Sequence, residues 1–366
     1  MSPTGVGIIG AGAWASLSHI PVIQSSPAFE LRAVSTSRRA SADVAAARLG
    51  IPGYDDYRQV IERSDVDLVV VAVQVAQHYE VIEAALKGGK AVYSEWPLTT
   101  DLTRAEHLAD VARESGARTV VGLQGRYLPE VRYARDLIRD GYLGDVLGTT
   151  MVGSGMVWGG AVATRRQAYW FDQAAGATAL SSAALHALDP LHHVLGEFAT
   201  VAANLVVGRT ETTVAEDGST IPVTAPDQVA VIGTLESGTA ASVFYRGGTS
   251  RGDNFRWEIN GTDGDLVLTA PWGNVQVASP VLAGGRGAET AATPLEVPAG
   301  YLRDVPAEFA GTPAAGVALL YADLARDLAA GTRTVPDFEL ALTRHRLIAA
   351  IEKSSSTGVR QPGVTA

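Results

Sequence analysis

The sequence predicts an α/β protein with an N-terminal doubly wound parallel sheet and a C-terminal α+β domain built on a large open, mainly antiparallel sheet. Two observations support this prediction. Over about the first 124 residues, apolar strand patterns alternate with helical patterns, which is typical of parallel βαβ units. After that point, short strand patterns separated by glycine turns follow one another, which is typical of an antiparallel sheet.

Length and composition limit the class of protein. With 366 residues, 46% of them hydrophobic, the chain can form two cores, and the predicted domains are residues 1–124 and 125–366. No apolar run is long enough to span a bilayer and no signal-peptide pattern precedes the first strand, so a cytoplasmic location without membrane contact is expected. A net charge of -10 disfavours nucleic acid as a partner, and the absence of cysteine excludes disulfides and thiol catalysis.

The first strand pattern, residues 6–9, runs directly into Gly10-Ala11-Gly12-Ala13-Trp14-Ala15 and then into a helical pattern. In a Rossmann dinucleotide-binding domain, Gly10 would permit the tight turn and Gly12 would let the backbone approach a pyrophosphate. The small Ala15 would let the helix pack closely on the strand. The alternative is an ordinary glycine turn, but the βαβ units that follow favour a cofactor site.

The second strand pattern, residues 30–35, ends at Thr36-Ser37-Arg38-Arg39. An NAD-binding domain usually has an acidic residue here on the ribose hydroxyl, and its absence removes repulsion against a 2′-phosphate. Ser37 and Arg38 would bind that phosphate, so the sequence favours NADP over NAD. A solvated helix start is the alternative interpretation.

The next strands and helices complete the predicted parallel sheet. Residues 67–73 have the continuous apolar pattern of a strand that is buried on both faces, so Val73 and the loop after it are expected at the ligand-binding edge. His78 in that loop either lines the cofactor site or caps a helix. A helix is predicted over 80–86, a strand over 91–93, a helix over 104–115 and a strand over 119–123.

The second domain begins with a predicted helix over 130–140 and continues into a long irregular segment, which includes Tyr169 and Asp172. Strands are predicted within 146–154 and over 201–207, 229–235, 239–246, 256–260 and 265–268. The other predictions are a polar hairpin or arm over 211–226, a loop over 283–298, helices over 313–330 and 337–354, and a loose tail over 358–366. The two C-terminal helices are expected to return and cover a domain face, with the first domain as the candidate.

Several segments together resemble one enzyme family. They are the glycine turn, ALKGGKAVYSEWPL at 85–98, GLQGRYLPEVRYARDLIRDGYLGDV at 122–146 and LHALDPLHHVLGEF at 185–198. The chain resembles members of the glucose–fructose oxidoreductase / inositol dehydrogenase / MocA family. The segments SEWPL, GATAL, WEINGTDGDL and VPDFELAL make it similar to the subgroup around the fungal galactose-regulon repressor and its bacterial oxidoreductase-like relatives.

The resemblance implies an NAD(P)-binding first domain and a second domain for substrate binding and oligomerisation, as a homodimer or homotetramer through the sheet. Two departures bear on the chemistry. Trp96 stands where the family usually has lysine, and Ser182 stands where it usually has aspartate. Indole cannot exchange a proton, so Trp96 cannot replace the lysine in catalysis. Its side chain either forms an apolar side of the site or packs in a core.

His186 is the remaining acid–base candidate, because a histidine titrates near neutral pH. A structural histidine with its hydrogen bonds satisfied is the alternative interpretation. Asp189, three residues later on the same helix face, could orient it. His192 and His193 follow, but no ligand set for a metal is complete. Tyr169 and Asp172 are interpreted either as ligand-binding residues or as part of a subunit contact.

The sequence thus favours an NAD(P)-dependent oxidoreductase that acts on a carbonyl or secondary alcohol of a sugar-like or secondary-metabolite substrate. A non-catalytic dinucleotide-binding regulator is the alternative, and a redox-neutral enzyme that retains its cofactor is a third possibility. His186 is the predicted catalytic residue, and Trp96, Arg126, Tyr169 and Asp172 are the predicted substrate-binding residues. The predicted cofactor-binding residues are Gly10, Gly12, Ala13, Trp14, Thr36, Ser37, Arg38, Val73, His78, Glu95 and Gln124.

Overall fold

A computed structural model describes residues 2–364, which divide into two compact units. The first unit contains the described residues up to Leu123 together with Asp304–Leu342. The second contains Gln124–Arg303 together with the described residues from Thr343 onward. Within residues 2–364, no helix has both the length and the apolar character needed to cross a membrane.

The first unit is built on a six-stranded parallel sheet in the order β3-β2-β1-β4-β5-β6, which confirms the predicted doubly wound fold. Its strands are β1 (Thr4–Ile9), β2 (Phe29–Ser35), β3 (Gly53–Tyr54), β4 (Leu68–Val71), β5 (Ala91–Glu95) and β6 (Thr119–Gly122). Its helices are α1 (Ala13–Leu17), α2 (His19–Ser25), α3 (Arg39–Leu49), α4 (Tyr57–Ile61), α5 (Val75–Lys87), α6 (Leu102–Ser115) and α9 (Ala315–Ala330).

Local chemistry explains these elements. All residues of β4 are buried, as expected for a central parallel strand with helices on both faces. The Asp101 side chain accepts a hydrogen bond from Arg104 N at the start of α6, and Gly116 ends that helix in the left-handed conformation at a φ of +62°.

A C-terminal segment, Asp304–Leu342, belongs to the first unit. The Val121 N–H on β6 donates to Pro336 O at 2.9 Å, and Arg118 Nη1 donates to Thr332 O at 2.7 Å. The buried carboxylate of Asp327 accepts hydrogen bonds from the backbone of Thr334 and Val335. These polar contacts hold 304–342 beside β6.

The second unit contains a nine-stranded mixed sheet in the order β17-β16-β15-β14-β7-β13-β12-β9-β18. All neighbouring strands are antiparallel except β7 and β13, which are parallel. Its strands are β7 (Val146–Ser154), β9 (Phe198–Val206), β12 (Gln228–Leu235), β13 (Ala240–Arg246), β14 (Phe255–Gly261), β15 (Gly264–Ala270), β16 (Val281–Arg286), β17 (Thr293–Pro294) and β18 (Gln361–Pro362).

A smaller three-stranded sheet, in the order β11-β10-β8, contains β8 (Val162–Ala163), β10 (Glu211–Val214) and β11 (Thr220–Pro222). The predicted polar arm is therefore the β10–β11 hairpin. The helices of this unit are α7 (Pro129–Arg139) and α8 (Leu185–Leu195), and α10 (Phe338–Thr357) begins in the first unit and ends in the second. A π-helical segment, Ala179–Ala184, precedes α8 and packs against β12 and β13.

Two predictions for this unit are wrong. The predicted loop 283–298 includes most of β16 and all of β17, because its small residues leave room for close pairing and Leu282 packs into the core. The predicted loose tail contains β18, whose Gln361 pairs with Val201 at the edge of the sheet. Of that tail, residues 365–366 lie outside the described residues.

Candidate functional site

The glycine turn after β1 forms the first part of the candidate site. Gly10 has a φ of +101°, and a Cβ there would lie 2.3 Å from Ala72 O, so only glycine fits. Its N–H donates to Ser35 O at the end of β2. A Cβ on Gly12 would meet no heavy atom within 4 Å. The Gly12 backbone therefore borders open space at the carboxyl edge of the sheet, where dinucleotides bind in this fold.

Trp14 provides an independent indication of a ligand. Its Nε1 is buried and has no hydrogen-bond partner among the described residues. Leaving a buried N–H unpaired is unfavourable, and an acceptor on a bound molecule would remove that cost. Ala13 and Trp14 form the first turn of α1 directly after Gly12, so the open backbone and the unpaired N–H both fit a dinucleotide.

A cavity of about 110 Å³ lies beside this turn, within the first unit. Three of the predicted cofactor residues, Thr36, Ser37 and Val73, line it. Arg38 stands one residue beyond Ser37, at the N-cap of α3, and is exposed. The Thr36 hydroxyl is already within hydrogen-bond distance of Arg38 O and Ser41 Oγ, which leaves Ser37 as the free hydroxyl of the pair.

Two carboxylates, Asp55 and Glu80, also line this cavity, and neither was predicted from the sequence. Asp55 follows β3 and Glu80 lies on α5, and both side chains are exposed. The end of a parallel strand was the available signal for Asp55, but β3 has only two residues, too few to predict as a strand. Two carboxylates therefore line the cavity beside the end of β2, although β2 itself ends without one.

His78 lies on α5 but neither lines this cavity nor caps the helix. Its ring is 1% exposed, with Nδ1 2.9 Å from Pro97 O and Nε2 3.1 Å from Val73 O. Burial lowers the pKa of this imidazole. His78 therefore joins the end of the β4 loop to the segment after β5, where the Trp96–Pro97 peptide is cis.

Glu95 and Trp96 lie at the carboxyl end of β5. Oε1 of Glu95 is 2.9 Å from Nε2 of His19, and Nδ1 of that ring is 3.0 Å from the hydroxyl of Tyr321. Trp96 is 5% exposed, so its indole is largely buried. The segment thus places a carboxylate, and no ammonium group, at the edge of the sheet.

In the second unit, α8 carries His186, which is 7% exposed, and the preceding π-helical segment carries Ser182. Asp189, three residues after His186, binds two arginines. Both of its carboxylate oxygens accept from Arg126, and Oδ1 also accepts from Arg344. These guanidinium groups hold the pKa of Asp189 well below its usual range despite its burial.

The other histidines of α8 are structural. Nδ1 of His192 donates to Gly196 O at 3.0 Å, and burial lowers the pKa of His192 to about 3. His193 Nε2 is 3.3 Å from Nη1 of Arg135, and burial lowers the pKa of His193 to about 3 as well. Among residues 2–364, no group of three or more histidine and carboxylate side chains could hold a metal ion.

The predicted substrate residues of the second unit fall into different environments. Arg126 is engaged with Asp189, whereas Tyr169 is half-buried beside Trp170, whose ring stacks on Trp158 at 4.4 Å. Asp172 Oδ1 accepts from Ala174 N and from the Thr224 hydroxyl, as a helix cap does. Gln124 is 2% exposed, and its Oε1 has no partner among the described residues.

Residues 4–123 match the family described as "Oxidoreductase family, NAD-binding Rossmann fold", whose model covers the glucose–fructose oxidoreductase, inositol dehydrogenase and MocA proteins. Residues 129–270 match the C-terminal domain of Gal80p. Dehydrogenase aclE of Aspergillus oryzae is 32% identical over 252 residues, which cover 66% of this chain and 68% of the relative. The chain belongs to this oxidoreductase family.

Within the family, the chain is also similar to a regulator. The galactose/lactose metabolism regulatory protein GAL80 of Saccharomyces cerevisiae is 28% identical over 304 residues, which cover 77% of this chain and 70% of that protein. The crystal structure of a super-repressor mutant of Gal80p from the same organism has a TM-score of 0.88 at 26% identity, with 98% of this chain and 97% of that chain covered. One oxidoreductase fold therefore has relatives named as a dehydrogenase and as a regulatory protein.

Proposed function

We propose that this protein is an NAD(P)-dependent oxidoreductase that transfers a hydride to or from a carbonyl or secondary alcohol of a small, sugar-like or secondary-metabolite molecule. The observation that carries the proposal is the open glycine turn. Gly12 borders open space at the sheet edge where this fold binds dinucleotides, and Trp14, two residues later, has a buried Nε1 with no hydrogen-bond partner among the described residues. The bound cofactor would supply the hydride chemistry, and the protein would supply binding, orientation and the proton.

NADP is the favoured cofactor in this proposal. Ser37 lines the cavity after β2 and Arg38 follows it, so a hydroxyl and a guanidinium group are available for a 2′-phosphate. Asp55 and Glu80 oppose this preference, because carboxylates repel a phosphate and accept hydrogen bonds from ribose hydroxyls. NADP binding therefore depends on Arg38 outweighing the two carboxylates.

His186 is the proposed proton donor or acceptor. Hydride transfer at a carbon–oxygen bond requires a proton at the oxygen, and an imidazole titrates close to neutral pH. The three lysines of the chain are Lys87, Lys90 and Lys353, and Trp96 occupies the position after Glu95. Lys87 pairs with Glu83, and Lys90 donates to two backbone carbonyls, so neither is proposed for catalysis.

The second candidate function is a non-catalytic, dinucleotide-dependent regulator. It is favoured by the similarity to a protein named as a regulator and by Trp96 and Ser182, which cannot act as an ammonium group or a carboxylate. Both candidates require the glycine turn to bind a dinucleotide. They differ in whether a substrate consumes or produces the reduced cofactor.

One experiment separates the two functions. The full chain is incubated with NADPH or NADH and a panel of sugars, ketones and aldehydes, and with the oxidised cofactors and the corresponding alcohols, while nicotinamide absorbance is followed. Turnover that is reduced at least about 100-fold by His186→Ala supports the enzyme. Saturable cofactor binding without turnover on any substrate supports the regulator, and unchanged turnover in His186→Ala removes the proposed role of His186.

We also propose that the protein forms a homodimer or homotetramer through the nine-stranded sheet. By strand alternation, Ile232 on β12 and Phe244 on β13 lie on the same face and are 51% and 38% exposed. Apolar side chains on a sheet face are typical of association surfaces. Ile232→Lys should shift the mass measured by light scattering to that of the monomer, and a monomeric wild-type protein would contradict this proposal.

A further inference from the structure

A buried chain of three side chains ends at Glu95. The hydroxyl of Tyr321 lies 3.0 Å from Nδ1 of His19, and Nε2 of the same ring lies 2.9 Å from Oε1 of Glu95. His19 and Tyr321 are 0% and 1% exposed, whereas the side chain of Glu95 is 14% exposed. The residues come from α2, α9 and β5, and all three belong to the first unit.

The chemistry of the groups fixes the direction of the two bonds. A carboxylate can only accept, so Nε2 of His19 carries the hydrogen that is donated to Glu95. In the neutral ring Nδ1 is then an acceptor, and the Tyr321 hydroxyl donates to it. Burial raises the pKa of the Tyr321 phenol, which keeps that hydroxyl protonated. Glu95 thereby selects the tautomer of His19 with its hydrogen on Nε2, Tyr321 donates to the opposite ring nitrogen, and His19 holds one oxygen of Glu95.

The position of Glu95 in the sheet is also fixed. It is the last residue of β5, and its Oε1 lies across Gly122 at the end of β6, where an added Cβ would come within 2.4 Å. The glycine turn and the cavity lie at the ends of β1, β2 and β3, which form the adenosine half of a dinucleotide-binding sheet. Strands β4, β5 and β6 form the other half, so Glu95 stands on the nicotinamide side.

We propose that His19 and Tyr321 are positioning residues that hold Glu95 as a fixed carboxylate on the nicotinamide side, and that this carboxylate favours binding of the oxidised cofactor over the reduced one. The oxidised nicotinamide ring is a cation and the reduced ring is neutral, so a fixed negative charge stabilises only the former. The inference rests on the proposed dinucleotide binding, but it requires no turnover.

The test is the ratio of the dissociation constants for reduced and oxidised cofactor, measured by fluorescence titration of NADPH and displacement by NADP⁺, and likewise for NADH and NAD⁺. Glu95→Gln should shift the ratio toward the reduced form on the order of tenfold, since it removes the charge. His19→Leu should shift it in the same direction, because Glu95 loses its donor. Tyr321→Phe should shift it about two- to fivefold, because Nδ1 of His19 loses its hydrogen-bond partner and the ring is held less firmly. His19→Gln, whose amide can still donate to Glu95, should stay close to wild type.

Tyr245→Phe is the matched control. Tyr245 is also 1% exposed and donates to Gly273 O at 2.9 Å, so this change removes a buried hydroxyl at a comparable structural cost away from Glu95. It should leave the ratio unchanged. If Glu95→Gln shifts the ratio but Tyr321→Phe and both His19 variants match the control, His19 and Tyr321 have no positioning role and the inference is overturned. If none of the four cofactors binds, the proposed function itself is contradicted.

Discussion

Nε of Arg344 on α10 donates to Oδ1 of Asp189 on α8 at 2.9 Å, and both side chains are only 1% exposed. Nη1 of Arg344 also contacts both carboxylate oxygens of Glu197, and Arg126 binds Asp189 from another side. Buried charges are tolerated only when they are paired and hydrogen-bonded, and here two arginines meet two carboxylates. This network fixes the helix that carries His186.

Replacement of Arg344 should therefore destabilise the protein strongly. Arg344→Ala leaves Glu197 and part of Asp189 without their cation, and breaking a buried ion pair in this way costs about 3–5 kcal/mol. Urea unfolding measures the change. Arg139→Ala is the control, since Arg139 forms ion pairs at the surface, and it should cost less than about 1 kcal/mol. Equal effects of the two substitutions would show that burial of the network contributes nothing.

His192 should make the stability of the protein depend on pH. Burial and the nearby Arg344 guanidinium lower the pKa of His192 to about 3 from an ordinary 6.5, so between these values the unfolded state binds one more proton. The free energy of unfolding should then fall by about 1.4 kcal/mol per pH unit as the pH is lowered through this window.

The His192 contribution is measured as a difference of slopes. His192→Gln removes the titrating group, so its free energy of unfolding should fall less steeply between pH 6 and pH 4 than that of wild type, about one proton fewer per molecule. If the His192 variant and wild type lose stability in parallel, the imidazole is already charged in the folded state.

The sequence predicted the sheet and the glycine turn because both depend on local patterns. Apolar runs such as residues 68–71 and the Gly10–Gly12 spacing can be recognised without knowing the partner strands. The chain Tyr321–His19–Glu95 could not be predicted, since its members are separated by up to 302 residues and no periodicity links them. The pairing of Arg126 with Asp189 was missed for the same reason, and the spacing of Asp189 from His186 suggested a different contact.

The two glycines of the turn should respond differently to alanine. Gly10→Ala places a methyl group 2.3 Å from Ala72 O at a φ of +101°, so it should lower the free energy of unfolding by at least about 1–2 kcal/mol. Gly12→Ala adds a methyl group in open space and should leave stability within about 1 kcal/mol while it weakens cofactor binding more than about tenfold. Thermal unfolding and cofactor titration of both variants measure this contrast. Unimpaired cofactor binding by Gly12→Ala would mean that the ligand does not approach this turn.

Asp55 and Arg38 should act in opposite directions on the choice between NADP and NAD. Asp55 lines the cavity beside Ser37, and Asp55→Asn removes a charge that repels a 2′-phosphate without changing the size of the side chain. This variant should bind NADP about three- to tenfold more tightly, with a smaller change for NAD.

Arg38→Ala should weaken NADP binding by a similar factor and leave NAD binding unaltered, because NAD lacks the phosphate. Arg39→Ala is the control, since Arg39 pairs with Asp43 on the same helix. Parallel titrations with both cofactors decide the matter: if Asp55→Asn weakens NAD binding more than it strengthens NADP binding, Asp55 is the ribose-binding carboxylate and the preference is for NAD.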